Sequence, residues 1–157
     1  TVRSKRLPAD GSCHISGYNL FMSAYHGLAC IGDERIPEPK PLPSFPVIQL
    51  DNPSATRINA AHLQITFKII GDQIPDTQMI VAKIQLTPLG FKSHRGRFRN
   101  YIGTSTDDNH VSFIIHDYRT VSGLDLNEYQ VHLKHFLIDA DSGHRSKEIS
   151  QALKVRI

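Results

Sequence analysis

The amino-acid sequence predicts an all-β protein, a two-sheet sandwich of seven to eight antiparallel strands. Three observations support this class. Apolar and polar residues alternate with a period of two in several segments, no window longer than two turns keeps the helical period, and turn-forming residues separate the segments. Short strands at this spacing, with turns between them, are typical of a sandwich rather than of a parallel α/β fold.

The alternation is clearest in the middle of the chain. From His62 to Ile70 the odd-numbered residues are apolar and the even-numbered ones are mainly polar, which predicts a half-buried strand. The same period predicts further strands in four segments: Gln78 to Leu86, Val111 to Tyr118, Tyr129 to Leu133 and Leu153 to Ile157.

Other segments carry weaker signals. Tyr18 to Tyr25 and Val47 to Leu50 are the weaker strand candidates, bounded by glycines and prolines. Phe136 to Ile138 is apolar throughout, which predicts either a bulge or a segment covered on both faces. Tyr129, at the start of a late strand, resembles the tyrosine corner of immunoglobulin-like sandwiches.

Five prolines mark the segment from Ile36 to Pro46, where they remove backbone donors and fix φ angles. Regular alternation begins just after this segment. The pattern therefore predicts a stiff crossover inside one sandwich, with a linker between two domains as the alternative.

The composition is that of one ordinary domain. The chain has 157 residues, 39% of them apolar, and 18 Lys and Arg against 15 Asp and Glu. We expect a basic N-terminal arm over residues 1–17 and a single sandwich over 18–157. No apolar stretch is long enough to cross a bilayer, so no membrane partner is expected. No export signal is visible, although a trimmed chain would look the same.

The sequence gives little sign of catalysis. Glycine-rich phosphate and nucleotide loops and the nucleophile elbow are absent, and the nine histidines form no plausible ligand set, since His132 and His135 point to opposite faces of a strand. We therefore expect no enzyme, no cofactor and no metal. Cys13 and Cys30 are expected to be reduced thiols, with a disulfide between them as the alternative.

A basic segment between the middle strands is the most informative local feature. Lys92, Arg95, Arg97 and Arg99 fall close together without an acid among them, and Phe91, Phe98 and Tyr101 interleave with them. Such a cluster favours a polyanion, because bound phosphates release their counterions, although a solvated hairpin rich in arginine is the alternative. A second cluster at the N-terminus would add phosphate contacts through three residues: Arg3, Lys5 and Arg6.

The order of short motifs resembles a divergent velvet domain, a fungal regulator module with a Rel homology-like immunoglobulin fold. The residues that carry the resemblance are Tyr18-Asn19-Leu20, Ala29-Cys30-Ile31-Gly32, Pro41 to Leu50, Ile102-Gly103-Thr104-Ser105, Phe113 to Asp117, and Gly123 to Phe136. The resemblance implies a nuclear, sequence-specific DNA-binding protein that acts as a homodimer or as a heterodimer with a related domain. It also implies DNA contacts in the loop that holds Arg35 and Lys40, where Asp33, Glu34 and Glu38 make the charge nearly neutral.

The leading hypothesis is therefore a DNA-binding transcriptional regulator that contacts DNA through basic loops. One alternative is a secreted or cell-surface immunoglobulin-like module that binds protein or carbohydrate, with Cys13 joined to Cys30. The other is a viral capsid protein or a similar structural sandwich.

Overall fold

The computed structural model describes residues 4–6, 14–38, 40–89, 98–107, 109–116, 118 and 127–157. One helix and ten strands fall in these ranges. In chain order they are β1 (Ser4–Arg6), β2 (His14–Ser16), α1 (Gly17–Cys30), β3 (Ile48–Arg57), β4 (Leu63–Gly71), β5 (Gln78–Pro88), β6 (Arg99–Ile102), β7 (Thr104–Asp107), β8 (His110–Ile115), β9 (Glu128–Asp139) and β10 (Ile149–Arg156).

Eight of the strands form two four-stranded sheets. Sheet I has the order β3-β4-β8-β7 and sheet II the order β10-β9-β5-β6, and every neighbouring pair is antiparallel. If β3, β4 and β5 are taken as strands A, B and C, sheet I has the immunoglobulin order A-B-E-D. The predicted all-β, immunoglobulin-like sandwich is confirmed. The predicted division into an arm and one sandwich domain stays a prediction, with β1 and β2 forming a separate two-stranded sheet.

The predicted alternation builds the core between the two sheets. Leu63, Ile65 and Phe67 on β4 are fully buried, and they face the apolar residues of β5 and β9. Phe67 also contacts Phe113 of β8 edge to face, with ring centroids 6.0 Å apart. Each fully buried side chain of this size contributes about 1.5–3 kcal/mol to folding.

The segment Tyr18 to Tyr25 is helical, so the prediction of a strand there was wrong. Leu20, Ala24 and Leu28 recur every fourth residue, and Ala24 and Leu28 are buried, which is the pattern of one helix face. Gly17 and Gly27 look like strand boundaries in the sequence, but the helix begins at one of them and includes the other.

The end of α1 covers part of the outer face of sheet II. Cys30 and Ile31 pack against three buried apolar residues that point away from the main core, Val81, Phe136 and Ile138. The β5–β9 register runs without a shift through this region. Phe136 to Ile138 is therefore a segment covered on both faces, as one of the two predicted alternatives had it, and not a bulge.

Strand β3 is longer than predicted because it continues through a segment whose residues are typical of a turn. Asp51-Asn52-Pro53 has the composition of a turn, yet β3 continues to Arg57. Asn52 has a φ of 48°, and the β3–β4 register shifts between Asp51 and Ser54. The turn chemistry is therefore used in a β-bulge.

The proline-rich segment joins α1 to β3 within the fold. The side-chain amide nitrogen of Gln78, the first residue of β5, donates a hydrogen bond of 2.9 Å to the carbonyl oxygen of Ser44. The segment is thus held against the end of the sandwich, as expected for a crossover, although it starts from a helix rather than from a strand.

Two glycines let α1 approach the turn between β9 and β10. A methyl group on Gly27 would collide with the carbonyl oxygen of Gly143, and one on Gly143 would collide with the carbonyl oxygen of Ala24. Gly143 also has a φ of +78°, where other residues are strained. Close backbone contact therefore positions the helix on the sheet.

Replacing Gly143 tests this contact, and Gly32 supplies a matched control. Gly32 has a φ of +79°, but a methyl group there meets nothing within 4 Å. Gly32→Ala should lower the free energy of unfolding by about 1 kcal/mol through backbone strain alone. Gly143→Ala should cost about 1–3 kcal/mol more because the helix must move. If urea unfolding shows the same loss of unfolding free energy for Gly32→Ala and Gly143→Ala, the close backbone contact at Gly143 does not contribute to stability.

Candidate functional site

Among the described cations, the structure places Arg35 and Lys40 beside one turn and Arg99 on a separate strand. Lys5 and Arg6 fall in β1, Arg99 in β6, and Arg35 and Lys40 between α1 and β3. The remaining predicted residues lie outside the described ranges: Arg3, Lys92, Arg95 and Arg97. Whether any of these side chains contacts a polyanion stays a prediction.

Arg35 and Lys40 hold the protein's own backbone. The Nε of Arg35 lies 2.7 Å from Oδ2 of Asp33, and its Nη2 donates to the carbonyl oxygen of Ala140 at 2.7 Å. The Nζ of Lys40 lies 3.5 Å from the carbonyl oxygen of Asp141. The backbone N–H of Arg35 donates to Asp33 and is the main cause that lowers the pKa of this carboxyl group. Both cations therefore tie the segment after α1 to the β9–β10 turn.

Arg99 lies elsewhere, on the exposed β6 edge of sheet II. It is on the same side of the strand as Tyr101, whose partner in the register is the buried Ala82. Burial raises the pKa of Tyr101, and the charge of Arg99 opposes this effect. Arg99 therefore belongs to the side of the sandwich and not to the region around Arg35.

A cleft of about 890 Å³ opens where β4 turns into β5. The loop between these strands forms one wall, and β7 with the start of β8 forms the other. Gly71 is required at the loop's start because its φ is +133° and a methyl group would collide with the carbonyl oxygen of Val47. The volume lies within the range of about 300–1,000 Å³ that is usual for small-molecule sites.

The lining of the cleft combines polar and apolar side chains. Isoleucines and a valine, Ile69, Ile74, Ile80 and Val111, line its apolar part. No Lys, Arg or His is among the lining residues, all of which belong to the described chain. The polar side chains are two carboxylates, three amides and two hydroxyls: Asp72, Asp76, Gln73, Gln78, Asn109, Ser105 and Thr106.

Gln78 is the most buried polar residue of the cleft lining, with 8% of its surface exposed. Its Nε2 donates to Ser44, but its buried Oε1 has no hydrogen-bond partner among the described residues. A buried acceptor without a partner costs about 1–3 kcal/mol, so such groups mark places where a water or a ligand is expected.

A second polar cluster closes the seam between the two sheets. Gln151 of β10 uses its side-chain amide to bond the backbone of Leu50 on β3: its Oε1 accepts from the Leu50 N–H at 3.0 Å, and its Nε2 donates to the Leu50 carbonyl at 2.9 Å. The Nε2 of His135 lies 2.8 Å from the same Oε1. Because this oxygen can only accept, the Nε2 of His135 carries a proton.

His135 is 1% exposed, and burial lowers its pKa below the ordinary value of 6.5, while the bond to Gln151 opposes the shift. The neutral ring is therefore preferred in the folded protein. His132 lies three residues away on the opposite, outer face of β9, as predicted.

The depressed pKa predicts acid sensitivity. The unfolded chain binds the His135 proton more readily than the folded one, so the contribution of His135 is complete above pH 6.5 and declines as the pH falls toward the lowered folded value. The urea midpoint should therefore decrease as the pH is lowered from 7.5 to 5.5. His135→Gln should make the midpoint depend less on pH. His132→Gln is the control and should keep the wild-type slope. An unchanged slope in His135→Gln would contradict the assignment.

Cys30 is a free thiol among the described residues and lies half-buried at the end of α1. Cys13 lies outside the described residues, so the choice between reduced thiols and a Cys13–Cys30 disulfide stays a prediction. Burial raises the pKa of Cys30, which makes it a poor nucleophile, and Arg145 and Lys83 partly oppose the shift. The described residues contain no helix long and apolar enough to cross a membrane.

Comparison with known proteins gives two distant structural likenesses. No family model matches the chain, and no curated protein matches it. The major subunit AggA of aggregative adherence fimbriae type I from Escherichia coli is 12% identical, with a TM-score of 0.34 over 71% of this chain and 93% of AggA. A structure reported on host recognition and biofilm formation by the fimbriae of enteroaggregative Escherichia coli is 16% identical, with a TM-score of 0.30 over 72% of this chain and 99% of that one. At these scores the likeness assigns no function to this chain.

These findings correct the regulator hypothesis. The structures that the chain resembles come from bacterial fimbriae, and none of the comparisons points to a velvet domain or a fungal regulator. Moreover, Tyr18-Asn19-Leu20, one of the motifs that carry the resemblance, lies in α1, where a strand was predicted. The velvet identification was wrong, and so were the DNA-binding regulatory function, the DNA and dimer partners and the nuclear location that it implied.

The cleft was missed because its lining comes from separate parts of the sequence. Gly71-Asp72 and Asp107-Asp108-Asn109 have turn composition in the sequence, but nothing in either motif shows that Gly71, Asp72 and Asn109 line the same cleft. The Gln151 cluster gave no signal either, because a glutamine on an alternating strand is an ordinary surface residue in a sequence.

Proposed function

We propose that this chain is an immunoglobulin-like binding module, not an enzyme, and that it binds a neutral saccharide in the cleft between the β4–β5 loop and β7. The observation that carries the proposal is the lining of the cleft. It offers carboxylates, amides and hydroxyls beside apolar side chains, and such groups suit a ligand with many hydroxyls and apolar C–H faces.

The charge of the cleft disfavours an anionic ligand. Asp72 and Asp76 are its only charged lining residues among those described, so a sulfated or carboxylated ligand would meet repulsion. Carboxylates accept hydrogen bonds from sugar hydroxyls, and Ser105 and Thr106 can both donate and accept.

Filling the cleft tests the proposal, and two exposed serines of sheet I make a matched pair. Ser105 lies in register with the buried Val111 and lines the cleft, whereas Ser54 lies in register with Thr66 on the outer face. On an array of neutral and sulfated oligosaccharides, the wild type should bind neutral ones. Ser105→Trp should weaken this binding at least about tenfold, equal to about 1.4 kcal/mol, while Ser54→Trp should not.

Two results would count against the saccharide site. Equal binding by Ser105→Trp and the wild type would place the ligand elsewhere, and a preference for sulfated oligosaccharides would contradict the charge argument. Urea unfolding of both variants shows whether each has kept the fold.

A second candidate function is structural, and the β10 edge favours it. Strand β10 pairs with β9 over its eight residues without a shift, whereas β6 and β7 have four residues each and β3 carries Pro53 within its bulge. A long, regular edge strand is a template for another chain, while prolines, bulges and short strands block such pairing. Gln151 is the β10 side chain that reaches from this edge to β3.

Sedimentation velocity over two decades of concentration tests the structural role. If β10 supports assembly, larger species should form as the concentration rises, because edge pairing is an equilibrium between chains. If the protein is a monomer at every concentration, the proposal of assembly through β10 is wrong.

The proposed location is secreted or at the cell surface, the alternative that the sequence left open. A saccharide-binding module meets its ligands there. Both fimbrial likenesses are too weak to support this placement, so it depends on the saccharide proposal.

A further inference from the structure

Two histidines meet at the end of sheet I that is remote from the cleft. His62 directly precedes β4 and His116 directly follows β8, where Leu63 pairs with Ile115. Their ring centroids are 4.7 Å apart, and the ring planes stand at 86° to each other. Because Leu63 and Ile115 are buried, their neighbours His62 and His116 lie on the outer face, where His116 is exposed.

Asn59 fixes the protonation of His62. The Oδ1 of Asn59 accepts hydrogen bonds from the backbone N–H groups of Ala61 and His62, both at 2.9 Å, which identifies this atom as the oxygen. The same Oδ1 lies 2.9 Å from Nδ1 of His62. An amide oxygen only accepts, so Nδ1 carries the proton and Nε2 presents a lone pair.

The hydrogen bond from His62 to Asn59 is of the kind that orients metal-binding histidines. A metal-ligating imidazole usually donates its other ring N–H to a carbonyl or carboxylate, which fixes the tautomer and orients the ring. The bond from His62 to Asn59 does this. His116, on the neighbouring strand, is exposed, so rotation of its side chain can turn a second nitrogen toward the same point.

We propose that His62 and His116 form a two-histidine site for a divalent transition metal ion, namely Cu²⁺, Ni²⁺ or Zn²⁺. Imidazole suits these ions, and hard ions such as Mg²⁺ and Ca²⁺ prefer oxygen. Within the described ranges no three potential ligands gather at one place. The site therefore holds the ion by two protein ligands and leaves the other positions to water.

The two-histidine site is independent of the proposed saccharide site. The cleft begins at Ile69, near the end of β4, whereas His62 precedes the start of that strand. Loss of saccharide binding would leave the metal site unaffected, and the reverse also holds.

Calorimetric titration of the untagged full chain with Cu²⁺, Ni²⁺ and Zn²⁺ at pH 7.5 tests the site. We expect one saturable site, with Cu²⁺ bound more tightly than Ni²⁺ or Zn²⁺. His62→Ala and His116→Ala should each abolish it. Asn59→Ala, which removes only the orienting bond, should weaken the affinity about 10–100-fold.

His132→Ala is the matched control, because His132 lies on the outer face of the other sheet and should not affect binding. Binding that survives both His62→Ala and His116→Ala would overturn the proposal, as would a wild type that shows no saturable binding. If His62→Ala unfolds, the exposed His116→Ala still decides the question. The Zn²⁺-induced shifts of the imidazole NMR signals, confined to His62 and His116, supply a second readout.

Discussion

The architecture depends on how two edge strands from different sheets are held together. Strands β3 and β10 lie on the same side of the sandwich, and backbone pairing within each sheet ends at them. Gln151 joins them because its side-chain amide offers one acceptor and one donor, the same two groups that a neighbouring strand would offer to Leu50. His135 fixes the orientation of this amide through the hydrogen bond from its Nε2 to Oε1 of Gln151. A buried backbone group without such a partner would cost about 1–3 kcal/mol.

The opposite side of the sandwich is closed by the chain itself. Strands β6 and β7 are consecutive, and the chain passes from sheet II to sheet I at Gly103, whose N–H donates to the carbonyl oxygen of Ile80 at 2.8 Å. A methyl group there would lie 2.5 Å from Cγ2 of the buried Val111, so a larger residue at the crossing would have to displace this side chain. The two proposed ligand sites lie at the ends of the sandwich. The cleft occupies one end of β4 and the two histidines the other.

The sequence predicted the parts of the fold that depend on local periodicity. Strand β4 follows the two-residue alternation from Leu63 onward, and the apolar run at Phe136 was correctly suspected of having two covered faces. Helix α1 was missed because its apolar residues recur only every fourth position over three turns, beside glycines that are typical of turns. The bulge at Asn52 shows the same limit, since turn chemistry does not say whether a strand ends or merely bends.

The functional features were out of reach of the sequence because they depend on contacts between distant residues. His62 meets His116, and Leu50 meets Gln151, only through strand register and sheet packing. Arg35 and Lys40 were visible in the sequence as charges, but not as hydrogen-bond donors to the carbonyl groups of the β9–β10 turn.

Hydrogen exchange at the Leu50 amide tests most directly whether Gln151 joins the two edge strands. We predict exchange as slow as that of the central strand β4, and selectively faster in Gln151→Ala; rapid exchange of this amide in the wild type would contradict the closure of the seam.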